Sequence, residues 1–241
     1  MIKISNVSKT YNNNIKAIDD LSLNIKSGEI VGFIGLNGAG KTTLIKMMTG
    51  ILRPDSGTIT INGLDIVDDA LEAKQIIGYI ADSPDMFLRL TGYEYINFIA
   101  DIYKVPVSVR KKRINDLAEK FNLVDQLNKP MQGYSHGNRQ KMMVVACLVH
   151  NPKVWILDEP LIGLDPKSAL VLKNMMKEHT KSGNTVFFST HVLEVAEKLC
   201  DKVAIINEGK IVFYGTLDEL KGKYSKKDDL EKLFMEVVSH E

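Results

Sequence analysis

Two short stretches of the sequence carry residues whose types and spacing suit phosphate chemistry. Gly35-Leu36-Asn37-Gly38-Ala39-Gly40-Lys41-Thr42 fits the pattern G-x-x-x-x-G-K-[ST]. Glycines let successive backbone N–H groups converge on a phosphate without side-chain clash. A helix opening at Lys41 adds its positive dipole end. Lys41 would neutralise charge on the β- and γ-phosphates, Thr42 would ligate Mg²⁺, and Thr43 would reach the α-phosphate. The second stretch is Val154-Trp155-Ile156-Leu157-Asp158-Glu159, an apolar run ending in two acids. Asp158 at the end of a strand would hold Mg²⁺ beside a phosphate loop. Glu159 would polarise an attacking water as general base.

These residues need elements to hold them. Ile30–Ile34 reads as a short central strand, with almost no polar interruption, leading into the glycine loop. Lys41–Thr49 reads as a helix, with Gly50 just past its end. Leu21, Leu23 and Ile25 alternate with polar residues as in a half-buried strand, and Thr58–Ile61 is another strand closed by Asn62-Gly63. From Thr91 to about Val149 helical signals take over. Thr91 and Glu94 fit a capping box, a basic helix runs from Ser108 to about Phe121, and a third helix runs from about Gly137 to Val149. The α/β alternation then resumes: strand 154–158, helix 166–181, strand 185–189, helix 192–200. A hairpin follows, with Asn207-Glu208-Gly209-Lys210 as a four-residue turn, and then a charged, helical tail over 216–241. The expected organisation is one domain. An α/β core over 1–81 and 150–215 is interrupted by a helical subdomain over 82–149.

Composition narrows the function classes. The chain has 241 residues, and 31 Lys+Arg stand against 30 Asp+Glu, for a net charge of +1. That balance lacks the basic footprint of a nucleic-acid-binding protein. No stretch approaches the roughly 18 consecutive apolar residues of a membrane span, and the first residues hold no apolar run of the signal-peptide kind. Cys147 and Cys200 sit in apolar, helical contexts and are expected to be free buried thiols.

The ordered motifs resemble those of the ATP-binding subunit of ABC transporters over essentially the whole length. The resemblance implies a P-loop NTPase core with an N-terminal antiparallel β-subdomain and an inserted α-helical subdomain. Tyr11 matches the aromatic that stacks on adenine. Gly35, Asn37, Gly38, Ala39, Gly40, Lys41, Thr42 and Thr43 match the phosphate loop, and Asp158 and Glu159 match the Mg²⁺-associated Asp and the catalytic Glu. Tyr134-Ser135-His136-Gly137-Asn138 falls at the signature loop, Gly163-Leu164-Asp165 at the loop through which two subunits communicate, and His191 at the histidine that contacts γ-phosphate. By the family's logic, Ser135 and Gly137 would serve a nucleotide held by a second ATPase subunit. ATP and Mg²⁺ are then the implied cofactors. The implied partners are a second ABC ATPase subunit, most simply another copy of this chain, and a separate transmembrane permease. The expected location is cytoplasmic, peripheral on the inner face of the cell membrane.

Two departures stand out. The signature loop reads YSHGN where the family reads close to LSGGQ, a loosening similar to that in exporters of drugs, antibiotics, ions or polysaccharides. A protonated His136 is expected to add attraction to the partner's nucleotide. Asp82 stands where the family has a glutamine touching Mg²⁺ and the attacking water, so Asp82 is a candidate metal and catalytic residue with an altered Mg²⁺ dependence. Met86, Phe87, Tyr93, Tyr95, Phe98 and Tyr103 are expected to be either subdomain core or a groove for a membrane-subunit helix. Lys221–Lys227 reads as a solvated surface more than a lipid contact. The leading expectation is an ATPase driving an exporter. The alternatives are a regulatory ATP-binding module with little turnover, or a non-transport ABC protein.

Overall fold

The structure is a computed structural model that describes residues 1–12, 14–82, 87–223 and 234. The chain opens with β1 (Ile2–Tyr11), β2 (Ile15–Ile25) and β3 (Ile30–Ile34), followed by α1 (Lys41–Met48), β4 (Ser56–Ile61) and β5 (Leu64–Asp65). It continues through α2 (Ala70–Ile76), β6 (Ile77–Ile80), α3 (Gly92–Ile102), α4 (Val107–Lys120) and α5 (His136–Leu148). The remaining elements are β7 (Val154–Leu157), α6 (Pro166–Lys181), β8 (Thr185–Thr190), α7 (Leu193–Leu199), β9 (Lys202–Asn207), β10 (Lys210–Gly215) and α8 (Leu217–Lys223).

The strands form two sheets. The first is antiparallel, in the order β2-β1-β4-β5. The second runs β10-β9-β3-β8-β7-β6, parallel throughout except for the β9–β10 hairpin at its edge. In β3, β7 and β8 every residue is buried; β3 and β7 therefore read as short apolar runs, while β8 buries Thr185, Ser189 and Thr190 around its apolar centre. Alternate side chains serve opposite faces. Phe187 packs with α1 and the first sheet, while Val186 and Phe188 pack with α3–α5 and α6.

Between β6 and β7 the described residues are helical apart from short turns. Thr91 and Glu94 form the expected capping box, with Thr91 Oγ1 accepting from the Glu94 N–H at 3.2 Å and Glu94 Oε2 accepting from the Thr91 N–H at 2.8 Å. α5 is buried at Gln140 and from Met142 through Leu148, so its apolar run MMVVACL lies inside the helical cluster with no solvent stripe.

One turn differs from the sequence reading, and two elements, α2 and β6, have no counterpart in it. The β9–β10 turn is tighter than four residues: Asn207 pairs with Lys210, leaving Glu208 (φ 44°) and Gly209 (φ 81°) as the loop. Two consecutive left-handed residues match the strand twist of a two-residue hairpin, and pairing therefore extends to the loop itself. α2 has one buried residue, Ala73, and so carries little of the apolar period by which a helix is recognised. β6 is only four residues long and ends at Ile80, just before Asp82. Of the expected tail helix, α8 covers 217–223; the remainder of 216–241 lies outside the described residues except Phe234, whose side chain is buried beside Ile34, Phe213 and Leu220.

Candidate functional site

The carboxyl ends of β3, β7 and β6 point to one end of the six-stranded sheet, and the polar residues gather there. The loop after β3 turns into α1 at Gly40, which caps the helix with φ 107°. A Cβ at Gly40 would lie 2.5 Å from the Ala17 carbonyl oxygen, so no other residue fits without displacing β2. Lys41 Nζ donates to the carbonyl oxygens of Gly35 (2.7 Å) and Leu36 (3.1 Å), holding the ammonium inside the loop. Burial lowers the Lys41 pKa, and the charges of Glu159 and Asp158 partly oppose this.

A cleft of about 350 Å³ opens over this loop. Tyr11, Asn37, Gly38, Gly40, Lys41, Thr42, Thr43, Asp82, Asp158 and Glu159 all line it. The Tyr11 hydroxyl lies 3.4 Å from Thr43 Oγ1, and the ring is 43% exposed, so a flat face remains accessible at the rim. Gly35 and Ala39 belong to the loop but do not line the cleft. Asp82 enters it from the end of β6. The hydroxyl of Tyr79 is pushed up to about 12 by burial and by the charges of Asp158 and Asp82, so both carboxylates act on the same space.

Asp158 follows β7 and is 2% exposed. Its two oxygens have separate partners. Thr42 Oγ1 donates to Oδ2 at 3.1 Å, and Ser189 Oγ donates to Oδ1 at 2.6 Å. The next residue, Glu159, takes φ 47°, a left-handed conformation that is uncommon for a residue with a side chain. Its N–H donates to the same Ser189 Oγ at 2.9 Å. His191 Nδ1 lies 3.0 Å from Glu159 Oε1, and the imidazole is otherwise largely in solvent. Ser189 is absent from the sequence-predicted site. Its place there comes from the parallel register of β7 and β8, which pairs Leu157 with Phe188 and so sets the residues after Leu157 beside Ser189.

Ser135 and Gly137 do not line this cleft. Ser135 is the N-cap of α5, with its hydroxyl accepting from the Asn138 N–H at 3.2 Å. The start of α5 is fastened to the loop after Glu159. A Cβ at Gly163 would lie 2.6 Å from His136 Cδ2, and one at Gly137 would lie 2.8 Å from the Gly163 carbonyl oxygen. Farther along, Lys141 Nζ and Asp165 Oδ2 are 2.7 Å apart. Asp165 caps α6 by accepting from the Ser168 N–H (2.9 Å) and hydroxyl (2.8 Å). The Lys141 hydrogen bond and those from Ser168 hold the Asp165 carboxyl well below the usual carboxylate range.

The predicted aromatic set divides. Tyr95 is buried in the helical core, while Phe87 and Phe98 are half-exposed with ring centroids 5.3 Å apart. Tyr93 and Tyr103 are partly buried against the same core. Met86 and residues 224–227 lie outside the described residues. Lys221 pairs with Glu197 at 2.9 Å. Cys147 and Cys200 are free and largely buried, and burial pushes both thiols up to about 12.

Comparison with known proteins agrees with this geometry. Residues 18–162 match the family model described as ABC transporter. Over 239 residues the chain is 34% identical to the ABC transporter ATP-binding protein NatA of Bacillus subtilis, covering 98% of this chain and 97% of that one. It is 32% identical to the daunorubicin resistance ATP-binding protein DrrA3 of Streptomyces coeruleorubidus, over 92% of this chain and 70% of that one. A solved ATP-binding subunit of an ABC transporter superposes with a TM-score of 0.93 at 31% identity, covering 98% and 99% of the two chains. The dimeric post-hydrolysis state of the ATP-binding cassette MJ0796, bound to ADP and Pi, superposes with a TM-score of 0.81 at 26% identity, over 90% and 99%. A nucleotide-loop cleft of this construction, matched over nearly the full length of such relatives, makes the chain a member of the ABC transporter family, as an ATP-binding, ATP-hydrolysing subunit.

Proposed function

We propose that the chain drives an exporter by binding and hydrolysing ATP in the cleft above the Gly35–Thr42 loop. The observation that carries the reading is the continuous chain of contacts Thr42–Asp158–Ser189–Glu159–His191, set beside the buried ammonium of Lys41. Tyr11 offers its exposed ring to adenine. The loop N–H groups and Lys41 hold the phosphates, and Thr43 stands next to Tyr11 on the α-phosphate side.

A Mg²⁺ ion fits the donors present. The Thr42 hydroxyl and Asp158 carboxylate are hard oxygen ligands 3.1 Å apart, and Asp82 lines the same cleft. Magnesium sites of this kind use one or two carboxylates and complete their shell with substrate phosphate and water. Bound there, the ion would supply charge neutralisation at the phosphate oxygens. The overall reaction is ATP + H₂O to ADP and phosphate: an oxygen–phosphorus bond forms from water to the γ-phosphorus, and the bond to ADP breaks. Glu159 accepts a hydrogen bond from that water and orients it. His191 donates Nδ1–H to Glu159 and, as the imidazolium, offers Nε2–H to charge on the γ-phosphate, where Lys41 also acts.

The cleft serves one nucleotide, while Ser135 and Gly137 stand outside it at the start of α5. We assign them to the nucleotide of a second subunit, a reading supported by likeness to the dimeric cassette. The half-exposed Phe87 and Phe98 suit a contact with a transmembrane subunit. The exporter direction rests on likeness to a drug-resistance ATP-binding protein and on the altered signature loop. Among the described residues no helix is long and apolar enough to cross a membrane, in keeping with a separate membrane partner. The whole chain is read as one such unit, with 1–81 and 150–215 as nucleotide core, 82–149 as helical subdomain and 216–241 as tail.

Glu159→Gln is the decisive test. Turnover is expected to fall by about 10²-fold or more while ATP affinity stays within a few-fold, because only the base is lost. Steady-state phosphate release together with fluorescent-nucleotide binding measures both. Wild-type turnover in the variant would remove Glu159 from the chemistry, and equally negligible turnover in both proteins would favour an ATP-binding module.

A further inference from the structure

We propose that Ser189 is a positioning residue for both acids of the site: it sets the rotation of Asp158 and the backbone of Glu159 through one hydroxyl. Ser189 is fully buried in β8, and its Oγ both donates and accepts. It donates to Asp158 Oδ1 at 2.6 Å and accepts from the Glu159 N–H at 2.9 Å. Both acids follow β7, whereas Ser189 stands on the neighbouring strand, so the hydroxyl ties them to a separate element of the central sheet.

Two consequences follow from this geometry. With Oδ1 engaged by Ser189, Oδ2 faces Thr42 Oγ1, the other oxygen of the proposed cation ligand set. Outer partners that orient a metal-binding carboxylate in this way are worth roughly 10–100-fold in affinity or activity when removed. Meanwhile Glu159 holds a left-handed backbone, a conformation that persists only where surrounding contacts over-determine it. The bond from its N–H to Ser189 is one such contact. Without it the residue is free to relax toward a right-handed or extended backbone, carrying its carboxylate away from His191.

The role rests on the assignment of Asp158 and Glu159 proposed above. The experiment compares wild type, Ser189→Ala and Glu159→Gln in the full chain, using phosphate release and the affinity for a fluorescent ATP analogue with and without Mg²⁺. For Ser189→Ala, turnover is expected to fall about tenfold or more, and the gain in analogue affinity on adding Mg²⁺ to shrink by a similar factor. The Mg²⁺-free affinity should stay within twofold, because Lys41 and the phosphate loop are untouched. Turnover and Mg²⁺-dependent gain both within twofold of wild type would overturn the proposal. So would equal losses of Mg²⁺-free and Mg²⁺-bound affinity, which mark general damage to the cleft. Full activity in Glu159→Gln would instead overturn the underlying assignment, and that result is independent of the Ser189→Ala outcome.

Discussion

At the scale of single residues, the cleft sets three carboxylates, Asp82, Asp158 and Glu159, around one buried ammonium, Lys41. That excess of negative charge suits a site that shares its phosphates with a divalent cation. Asp82 is the member expected to depart from the family's pattern, and its charge is felt by the hydroxyl of Tyr79 alongside that of Asp158. Asp82→Gln removes the charge and keeps an oxygen ligand. The Mg²⁺ concentration for half-maximal turnover is expected to rise several-fold, read from a Mg²⁺ titration at fixed ATP. An unchanged profile would mean that Asp82 does not face the cation. Most of these side chains were legible in the sequence because the phosphate loop and the acid pair are contiguous motifs whose flanking runs announce strand and helix. Ser189 was not legible. Its function depends on which strand lies next to β7, and a strand buried on both faces encodes apolarity but not its neighbour.

At the scale of elements, the start of α5 packs directly against the loop leading into α6. His136 covers Gly163, Gly137 admits the Gly163 carbonyl, and Lys141 closes on Asp165, the cap of α6. The sequence places the motifs on these elements, but the fit of an imidazole over a bare Cα appears only once the chain is folded. Gly163→Ala meets two obstacles: a φ of 78°, which costs about 1–2 kcal/mol for an L-residue, and a Cβ 2.6 Å from the His136 ring. His136→Gly removes the second obstacle and leaves the first. Thermal unfolding of the four proteins of this double-mutant cycle is therefore expected to show positive coupling, with the double variant more stable than the sum of the single losses predicts. Strict additivity would mean that the ring does not rest on Gly163. The helices themselves were easier to read than their junctions. Thr91–Glu94 capping and the long apolar run of α5 are local signals, whereas α2, with its single buried residue, and β6, with four residues, take their identity from the surfaces they pack on.

At the scale of the whole molecule, two buried histidines tie stability to pH. The His150 ring stacks on Tyr103 with centroids 3.6 Å apart, and its Nε2 lies 3.1 Å from the Ile77 carbonyl oxygen. It thus joins the end of α3 to the start of β6. His179 of α6 stacks on Trp155 of β7, centroids 4.2 Å apart. Burial lowers both to about 4 from an ordinary 6.5. The folded chain therefore binds fewer protons than the unfolded chain between those values. The contribution is fully present above pH 6.5 and is lost as pH falls toward 4. Melting temperature is expected to drop across that window, and less steeply in His179→Phe, which keeps a ring on Trp155 without a titrating group. Equal slopes in the two proteins would exclude His179 from the effect. The overall architecture was legible from alternating strand and helix patterns, whereas these contacts between distant segments were not.

The left-handed backbone of Glu159 has a consequence for how this protein tolerates change. A glycine at 159 would sit in that turn with less strain than any residue bearing a side chain, yet it carries no carboxylate. The residue best suited to the fold is thus one that cannot do the chemistry. Enrichment for heat resistance alone would favour its loss, and the glutamate persists only under selection for turnover.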